Sequence, residues 1–306
     1  MLEVKNIPKI EECFESSINP YVKKVHEDTV NWAKINNLMN DSNIKRCERQ
    51  KMSYLAGRSQ PYDSYDSVRL SSDYLLLFCI LDDYSDNLNN QKLYDIYSKK
   101  IIEILNERAF YDDDTFLYAW HDWWKRLSIG MPDEWKKRII QSIQNCFNSI
   151  KWEIKNEKEK YIPTLEEYVN HRMHSGSVFV CFDLIERGGR SFIPASSRSI
   201  LLRDLINSIN KIVNWTNDLL SFKKEFENDE IHNLVIILQK QENCSIETAL
   251  DRAKEMLNIE INTFIELKNK VFISNEPFDS GMIKFISRLE NGVRGHYEWS
   301  MKTKRF

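Results

Sequence analysis

Two acidic residues stand close together at the end of a strongly apolar segment of the chain. Asp82 and Asp86 lie four residues apart in DDYSD (82–86), so on a helix their carboxylates share one face. That face continues an apolar stripe through Phe78, and carboxylates beside a core-facing stripe are costly to bury unless a positive group binds them. The pair indicates a cation site, whereas a solvated helix end is the alternative for this cluster taken alone.

A second set of oxygen-bearing side chains follows another apolar segment. Asn217, Ser221 and Glu225 are spaced by four residues in NDLLSFKKE (217–225), so on a helix they form one line of oxygens. Amide, hydroxyl and carboxylate oxygens are ligands that Mg²⁺ accepts, with the phosphate oxygens of a substrate completing its octahedron. Each residue alone is more typical of a polar helix surface. Three donors in register, with Lys224 beside the carboxylate, favour a magnesium site.

Long helices are the elements that must position these side chains. The chain of 306 residues contains only eight Gly and seven Pro, too few for the many turns of an all-β fold. Apolar residues recur with helical spacing through 66–86 and again through 200–220. With no repeat and no linker rich in Gly, Ser or Pro, the sequence predicts about ten helices in one all-α domain over 1–306. Turn-forming residues predict a helix end at Gly188-Gly189 and helix starts at Pro20, Pro132, Pro163, Pro194 and Pro277.

Composition and charge exclude several other classes of protein. The 43 basic and 46 acidic residues are interspersed, which leaves no basic face for nucleic acid. The longest apolar run, 75–81, has seven residues, against about twenty needed to span a bilayer. The first residues carry no apolar signal core, so we expect a cytoplasmic protein. Six scattered cysteines without paired spacing are expected to be reduced.

The two motifs resemble those of the bacterial-type class I terpene synthases, which ionise an isoprenoid diphosphate with three magnesium ions. DDYSD (82–86) and NDLLSFKKE (217–225) are similar to the family's metal motifs. Three flanking segments also resemble the family. The segment ahead of the aspartate helix is similar to LAGRSQPYDS (55–64), and the turn after the second motif is similar to HNLV (232–235). The family's C-terminal signature is similar to VRGHYEWSMKTKRF (293–306). The resemblance implies an all-α bundle around a central active-site cavity. It also implies a lyase that cyclises a carbocation to a terpene hydrocarbon or alcohol.

The resemblance further implies roles for individual residues. Asp83 would turn toward a basic partner, and Arg172, 45 residues before the second motif, matches the arginine that senses the diphosphate. Gly176 matches the small residue at a helix break whose carbonyl faces the reacting carbon, with Ser175 as the linker. A glycine within a helix costs about 1 kcal/mol relative to alanine, which also indicates a break. Magnesium ligation is implied for Asp82, Asp86, Asn217, Ser221 and Glu225.

Two further basic residues are implied as ligands of the diphosphate. Lys224 would reach it as a point charge, and Arg305 belongs to the position of the family's C-terminal Arg-Tyr pair. This chain has Arg305-Phe306 instead, and Phe306 cannot donate the hydrogen bond of a tyrosine. Loss of one hydrogen bond to a charged group costs about 1.5–3 kcal/mol. The departure therefore predicts weaker closure of the site rather than loss of activity.

Heterolysis of an allylic diphosphate needs positive charge around the leaving group and a dry pocket around the cation. The carbocation would react with any admitted water, so we expect an apolar, aromatic and closed pocket. Aromatic faces stabilise cations by about 1–2 kcal/mol when desolvated. Phe78 and Trp299 are the side chains that we expect to face the cation. Tyr54 and Trp215 are interpreted equally well as core residues.

Two other functions remain open at the level of sequence. A chain-elongating prenyl diphosphate synthase would share the all-helical fold and the magnesium chemistry, but it would need a second aspartate-rich motif at 217–225. A non-catalytic helical binding domain would keep the fold, although intact ligands in both motifs argue against it. The sequence does not fix the substrate; farnesyl diphosphate is the first expectation, ahead of geranylgeranyl and geranyl diphosphates. A homodimer is a further expectation from the resemblance.

Overall fold

The computed structural model describes residues 4, 6–38, 41–85, 91–273 and 280–303, except the side chains of 41–44, 46, 83–85 and 272. Within these ranges the chain is helical and contains no strand, which confirms the all-α prediction. No helix of the described part has the length and apolar character that crossing a bilayer would need. The helices are α1 (Pro8–Cys13), α2 (Val22–Ile35), α3 (Asp41–Gln50), α4 (Met52–Ser59), α5 (Tyr65–Ser85), α6 (Gln91–Leu105), α7 (Thr115–Leu127), α8 (Asp133–Glu159), α9 (Leu165–Ser175), α10 (Val178–Gly188), α11 (Ile200–Glu227), α12 (Leu234–Gln241), α13 (Ile246–Ile273) and α14 (Ser280–Ser300).

The number of helices in the described ranges exceeds the predicted ten. Short helices account for the difference: α1 has six residues and α12 has eight. Such lengths cover only about two turns and leave little periodic pattern to detect. The long helices α5 and α11 coincide with the two predicted apolar stripes.

Several predicted helix boundaries agree with the structure. Helix α8 begins directly after Pro132. Helix α9 begins after Thr164, whose hydroxyl accepts from the backbone of Glu167 while the Glu167 carboxylate accepts from the backbone of Thr164. Helix α10 ends at Gly188, as predicted.

Two predicted helix starts differ from the structure, and a third lies outside the described residues. Helix α2 begins at Val22 rather than at Pro20, because the Asn19 side chain organises a turn and donates to the carbonyls of Gln60 and Asp63. After Pro194 only a three-residue 3-10 helix forms, over Ala195–Ser197. The predicted start at Pro277 lies outside the described residues.

Two clusters of buried apolar side chains fill the interior. The first lies mainly among α5 to α8 and contains the fully buried Trp120 and Trp135. The second lies mainly among α9 and α11 to α14 and contains Phe264. Helix α10 contributes Leu184 to the first cluster and Phe182 to the second. A helix shared by both clusters supports the one-domain interpretation over 1–306, which stays a prediction.

The first motif begins in the last turn of helix α5, directly after the buried part of that helix. Its 21 residues include Tyr74, Leu77 and Leu81, all fully buried. Asp82 directly follows this stripe in the last turn of the helix. Burial of the stripe therefore fixes the position of the Asp82 carboxylate at the helix end.

Candidate active site

A cavity of about 910 Å³ opens among α4, α5, α8, the α9–α10 junction, α11 and α14. One part of its wall is polar and carries the ends of α5 and α11, and the remainder is largely apolar. Residues predicted from four separate segments of the sequence meet in this wall: Phe78, Asp82, Arg172, Gly176, Asn217, Lys224, Glu225 and Trp299.

Three predicted site residues are not seen in the cavity wall. Ser221 is fully buried within α11, and its hydroxyl donates to the backbone carbonyl of Asn217 at 2.8 Å. A hydroxyl oxygen that donates keeps its lone pairs, so this bond does not prevent metal ligation. Asp86 and Arg305 lie outside the described residues, as does Phe306, and the side chain of Asp83 is not described.

Asp82 shares the polar end of the cavity with a second carboxylate. Glu153, on α8, also lines the cavity. Burial raises the pKa of Glu153, and the negative charge of Asp82 adds to that rise, while His232 and Arg172 oppose it. The polar end thus gathers acidic side chains from α5 and α8 as well as those of α11. Glu153 was not predicted from the sequence.

Arg172 is held by the second motif through three hydrogen bonds. Its Nη2 donates to Oδ1 of Asn217 at 2.8 Å and to Oδ1 of Asp218 at 2.7 Å, and its Nε donates to the same Asp218 oxygen at 3.0 Å. Tyr168, one turn earlier on α9, donates its hydroxyl to the other carboxylate oxygen of Asp218. Burial lowers the pKa of Arg172, but the negative charge of Asp218 outweighs it and the net shift is upward. The guanidinium therefore stays charged at the cavity wall.

Glu225 lies at the end of the polar line on α11. Asn233 Nδ2 donates to its carboxylate at 2.8 Å and to the backbone carbonyl of Asp218 at 2.7 Å, while Asn233 Oδ1 caps α12 by accepting from Val235. Burial, followed by the negative charges of Asp218 and Glu230, raises the pKa of Glu225 to about 7. A carboxylate surrounded by other acids in this way suits a divalent cation.

The turn after α11 is tied to α8. The backbone N–H of Ile231 donates to Oε1 of Glu157 at 3.0 Å, and Nδ1 of His232 lies 3.3 Å from the same oxygen. Nε2 of His232 and Nδ2 of Asn156 are 3.2 Å apart. The HNLV segment is thereby fixed, and with it the Asn233 side chain that contacts Glu225.

The helix break predicted at Gly176 is confirmed. Helix α9 ends at Ser175 and α10 begins at Val178. The left-handed residue at the junction is Ser177, with φ of 58°, whereas Gly176 has φ of −68°. The break therefore does not depend on the conformational freedom of glycine. The orientation of the Gly176 carbonyl toward a reacting carbon stays a prediction.

The four aromatic candidates divide between the cavity and the core. Phe78 lines the cavity and stacks on Tyr74 with ring centroids 6.1 Å apart. Trp299 lines it as well, and its indole N–H donates to the backbone carbonyl of Gln50 at 2.9 Å. Tyr54 packs against the first cluster and Trp215 belongs to the second, and neither is part of the cavity wall.

Lys224 lies at the solvent-facing part of the same wall. Its side chain is exposed and yet borders the cavity, next to Glu225 in sequence. An ammonium group in this place can reach an anion that enters the polar end. Its role toward a diphosphate stays a prediction.

Three further residues of this site were not predicted from the sequence, although the local sequence around each one indicates its role. Asp218 is an acid that directly precedes buried Leu219, and a carboxylate on the buried side of an apolar helix needs a partner. Tyr168 stands four residues before Arg172, so the two share a helix face. Asn233 precedes the apolar run 234–238, which is a typical N-cap position.

The arrangement can hold a polyanion with divalent cations at one end and an apolar chain beyond it. The donors at the polar end are carboxylate and amide oxygens, the set that hard cations prefer. Arg172, held by hydrogen bonds, and Lys224, which is exposed, add positive charge. The apolar wall around Phe78 and Trp299 would surround the rest of the bound molecule.

Comparison with known proteins identifies similar sequences over nearly the whole chain. The family model for terpene synthase family 2, C-terminal metal binding, matches residues 73–263. A (+)-T-muurolol synthase of Roseiflexus castenholzii, described as cyclising (2E,6E)-farnesyl diphosphate, is 26% identical over 96% of this chain and 91% of its own length. A germacrene A synthase of Nostoc punctiforme is 26% identical over 96% of this chain and 93% of that protein.

Solved structures share the fold at lower sequence identity. A linalool/nerolidol synthase from Streptomyces clavuligerus superimposes with a TM-score of 0.86 and 18% identity, covering 97% of this chain and 100% of that one. An α-eudesmol synthase superimposes with a TM-score of 0.84 and 19% identity, covering 94% and 96%. At this identity the comparison establishes the fold and nothing finer.

Proposed function

This chain belongs to terpene synthase family 2, and from that premise we propose that it ionises farnesyl diphosphate with the help of Mg²⁺ and cyclises the resulting carbocation. The observation that carries the proposal is the single cavity in which Asp82, Asn217, Glu225 and Arg172 meet at one end of an otherwise largely apolar wall. The product is a sesquiterpene hydrocarbon or alcohol.

The oxygen donors of both motifs fit a magnesium site. Asp82, with Asp86 from outside the described residues, would hold metal from α5. Asn217, Ser221 and Glu225 would hold metal from α11, and the raised pKa of Glu225 fits a carboxylate that gains a cation when the site is filled. We propose three ions, which neutralise charge on the leaving diphosphate when bound.

Basic side chains of this chain would complete the diphosphate site. Arg172 is fixed by Asp218 with its guanidinium toward the polar end, so it presents donors to phosphate oxygens without reorganisation. Lys224 is exposed at the same wall and would close on the anion from the solvent side. Arg305 would add a third cation from the C-terminal segment.

The apolar wall would exclude water and guide the cation. Ionisation breaks the bond between the first carbon and the diphosphate oxygen, and the electron pair leaves with the diphosphate. Phe78 lies one turn before Asp82 and therefore next to the reacting end, where its ring would stabilise positive charge. Trp299 would do so from α14.

Farnesyl diphosphate is the substrate that we propose first. The name of the Roseiflexus relative specifies that substrate. The cavity volume of about 910 Å³ lies within the range of about 300–1,000 Å³ that is typical of sites for one small ligand. Chain elongation is not favoured, since α11 presents an amide, a hydroxyl and a carboxylate rather than a second aspartate-rich motif.

Product analysis tests this proposal directly. The purified protein is incubated with Mg²⁺ and geranyl, farnesyl or geranylgeranyl diphosphate, and extracts are examined by gas chromatography with mass detection. We expect a cyclic C15 product from farnesyl diphosphate alone. Longer diphosphates in assays with added isopentenyl diphosphate would contradict cyclisation, and an absence of turnover with all three would favour the non-catalytic interpretation.

We also propose that the protein acts in the cytoplasm, and that it forms a homodimer, as the resemblance implies. Light scattering coupled to gel filtration measures the mass of the particle. A mass of about 36.5 kDa at assay concentrations would contradict dimerisation, and twice that mass would support it.

A further inference from the structure

Gly176 is held in close contact by a side chain from α11. A Cβ atom at position 176 would overlap Oδ1 of Asn214 and would lie 3.0 Å from its Cγ. Because φ of Gly176 is −68°, other residues could adopt its backbone conformation. The approach of Asn214, and not backbone strain, is what requires glycine here.

Hydrogen bonds fix which way the Asn214 amide points. Asn210 Nδ2 donates to the backbone carbonyl of Met173 at 2.9 Å, and a carbonyl can only accept, so Asn210 Oδ1 must face the other way. Asn214 Nδ2 donates to that Oδ1 at 2.8 Å and to the backbone carbonyl of Asn210 at 3.1 Å. Both protons of the Asn214 amide are thus used, and its oxygen is directed toward Gly176.

Asn214 belongs to the cavity wall close to the second metal motif. Asn214 lines the cavity and stands three residues before Asn217 on α11, a rise of about 4.5 Å at 1.5 Å per residue. Val213 and Val178 also line the cavity. The oxygen of this buried, oriented amide is the negative end of a fixed dipole, which acts strongly in a dry site.

We propose that Asn214 is a further catalytic residue, whose oriented Oδ1 stabilises positive charge on the first carbons of the isoprenoid chain. This inference rests on the proposed function. When the carbon–oxygen bond to the diphosphate breaks, the electron pair leaves with oxygen and positive charge develops on the allylic carbons. Asn214 neither gives nor takes a proton in this step. It supplies a fixed negative dipole beside Gly176.

The test compares Asn214→Leu, which keeps the size of the side chain and removes the oxygen, with Asn207→Leu as a matched control. Asn207 lies two turns earlier on α11 and is not part of the cavity wall. We expect Asn214→Leu to lower kcat with farnesyl diphosphate by about 10- to 100-fold, less than the loss of about 100- to 1,000-fold that follows removal of one oxyanion-hole donor, with KM changed by less than about threefold. Asn207→Leu should match the wild type.

A binding measurement separates charge stabilisation from structural support. Benzyltriethylammonium serves as a stable cation, titrated calorimetrically in the presence of Mg²⁺ and inorganic diphosphate. Its affinity should fall about fivefold or more in Asn214→Leu, corresponding to about 1 kcal/mol, while the affinity for inorganic diphosphate stays unchanged. Unchanged ammonium affinity in Asn214→Leu would overturn the proposal. A parallel loss of diphosphate binding would also overturn it, since it indicates a structural role.

A double-mutant cycle tests the contact itself. Gly176→Ala alone should lower kcat, because the new methyl group displaces Oδ1. In an Asn214→Ala background the same change should have little further effect, since the overlapping atom is gone. Additive losses would contradict the contact. If the wild type itself turns over no diphosphate, the proposed function fails, while the ammonium titration still reports on Asn214.

Discussion

Nη2 of Arg172 donates to Oδ1 of Asn217 at 2.8 Å, which joins the helix before the break to the first residue of the second motif. The same nitrogen donates to Asp218 at 2.7 Å. The residue that would contact the leaving diphosphate and a residue that would hold metal are therefore parts of one hydrogen-bonded unit. Binding of a ligand to Arg172 therefore affects Asn217, and binding of a ligand to Asn217 affects Arg172.

Removing Arg172 should destabilise the protein as well as inactivate it. Asp218 is fully buried, and the loss of its partner leaves an uncompensated charge, which costs about 3–5 kcal/mol. We expect Arg172→Gln to lower the Tm measurably and to abolish turnover. The double variant Arg172→Gln/Asp218→Asn should recover much of the Tm and remain inactive. Equal Tm values for the two variants would contradict a buried ion pair as the cause.

The local pattern of the sequence predicted the parts of this site that lie along single helices. The apolar stripe of α5 places Asp82, and the spacing of four residues places Asn217 and Glu225 on one face of α11. It did not predict the contact of Arg172 with Asp218, because α9 and α11 are paired only by tertiary packing. Their approach depends on the second core cluster, which contains Tyr168 of α9 and Ile209 of α11, and the periodicity within one helix carries no information on such packing.

The metal motifs should be tested by single alanine variants with matched controls. Asp82→Ala and Asn217→Ala each remove an oxygen from the proposed metal site, so turnover should nearly vanish and Mg²⁺-dependent binding of inorganic diphosphate should weaken strongly. Asp66→Ala, an exposed acid in the first turn of α5, and Asn207→Ala should bind diphosphate like the wild type. Calorimetric titration measures the binding of inorganic diphosphate to the variants and to the controls. Wild-type binding in Asp82→Ala would contradict the proposal that Asp82 is a metal ligand.

Phe78 and Tyr54 offer a comparison between a cavity aromatic and a core aromatic. Phe78→Leu removes a ring that faces the cavity, so the rate should fall about 5- to 30-fold, the equivalent of about 1–2 kcal/mol, and the product mixture should change. Tyr54→Leu should lower stability without changing the product ratio, because Tyr54 is not part of the cavity wall. Gas chromatography of the products and thermal melts distinguish the two outcomes. An unchanged product mixture in Phe78→Leu would argue against contact with the cation.

The raised pKa of Glu225 predicts opposite pH dependences with and without metal. The pKa is about 7 in the folded protein and 4.5 in its ordinary state, raised by burial and by Asp218 and Glu230. Between those values the folded state binds a proton that the unfolded state has lost, so the metal-free protein should lose stability as pH rises from 4.5 to 7. Magnesium needs the ionised carboxylate, so its stabilising effect should grow over the same range and level off above pH 7.

Thermal melts in EDTA and in Mg²⁺ across pH 5.5 to 8.5 measure this linkage, and two variants identify the group responsible. The side chain of Glu225→Gln cannot titrate. The difference in Tm between Mg²⁺ and EDTA should therefore be small in this variant and should not show the change with pH, the step, that the wild type shows up to about pH 7. Glu230→Gln removes one of the acids that raise the pKa of Glu225, so the step should move to lower pH while remaining visible. An unchanged step in Glu225→Gln would show that another acid at the polar end of the cavity is responsible for the pH dependence. Glu153 would be the first to test, because burial also raises its pKa.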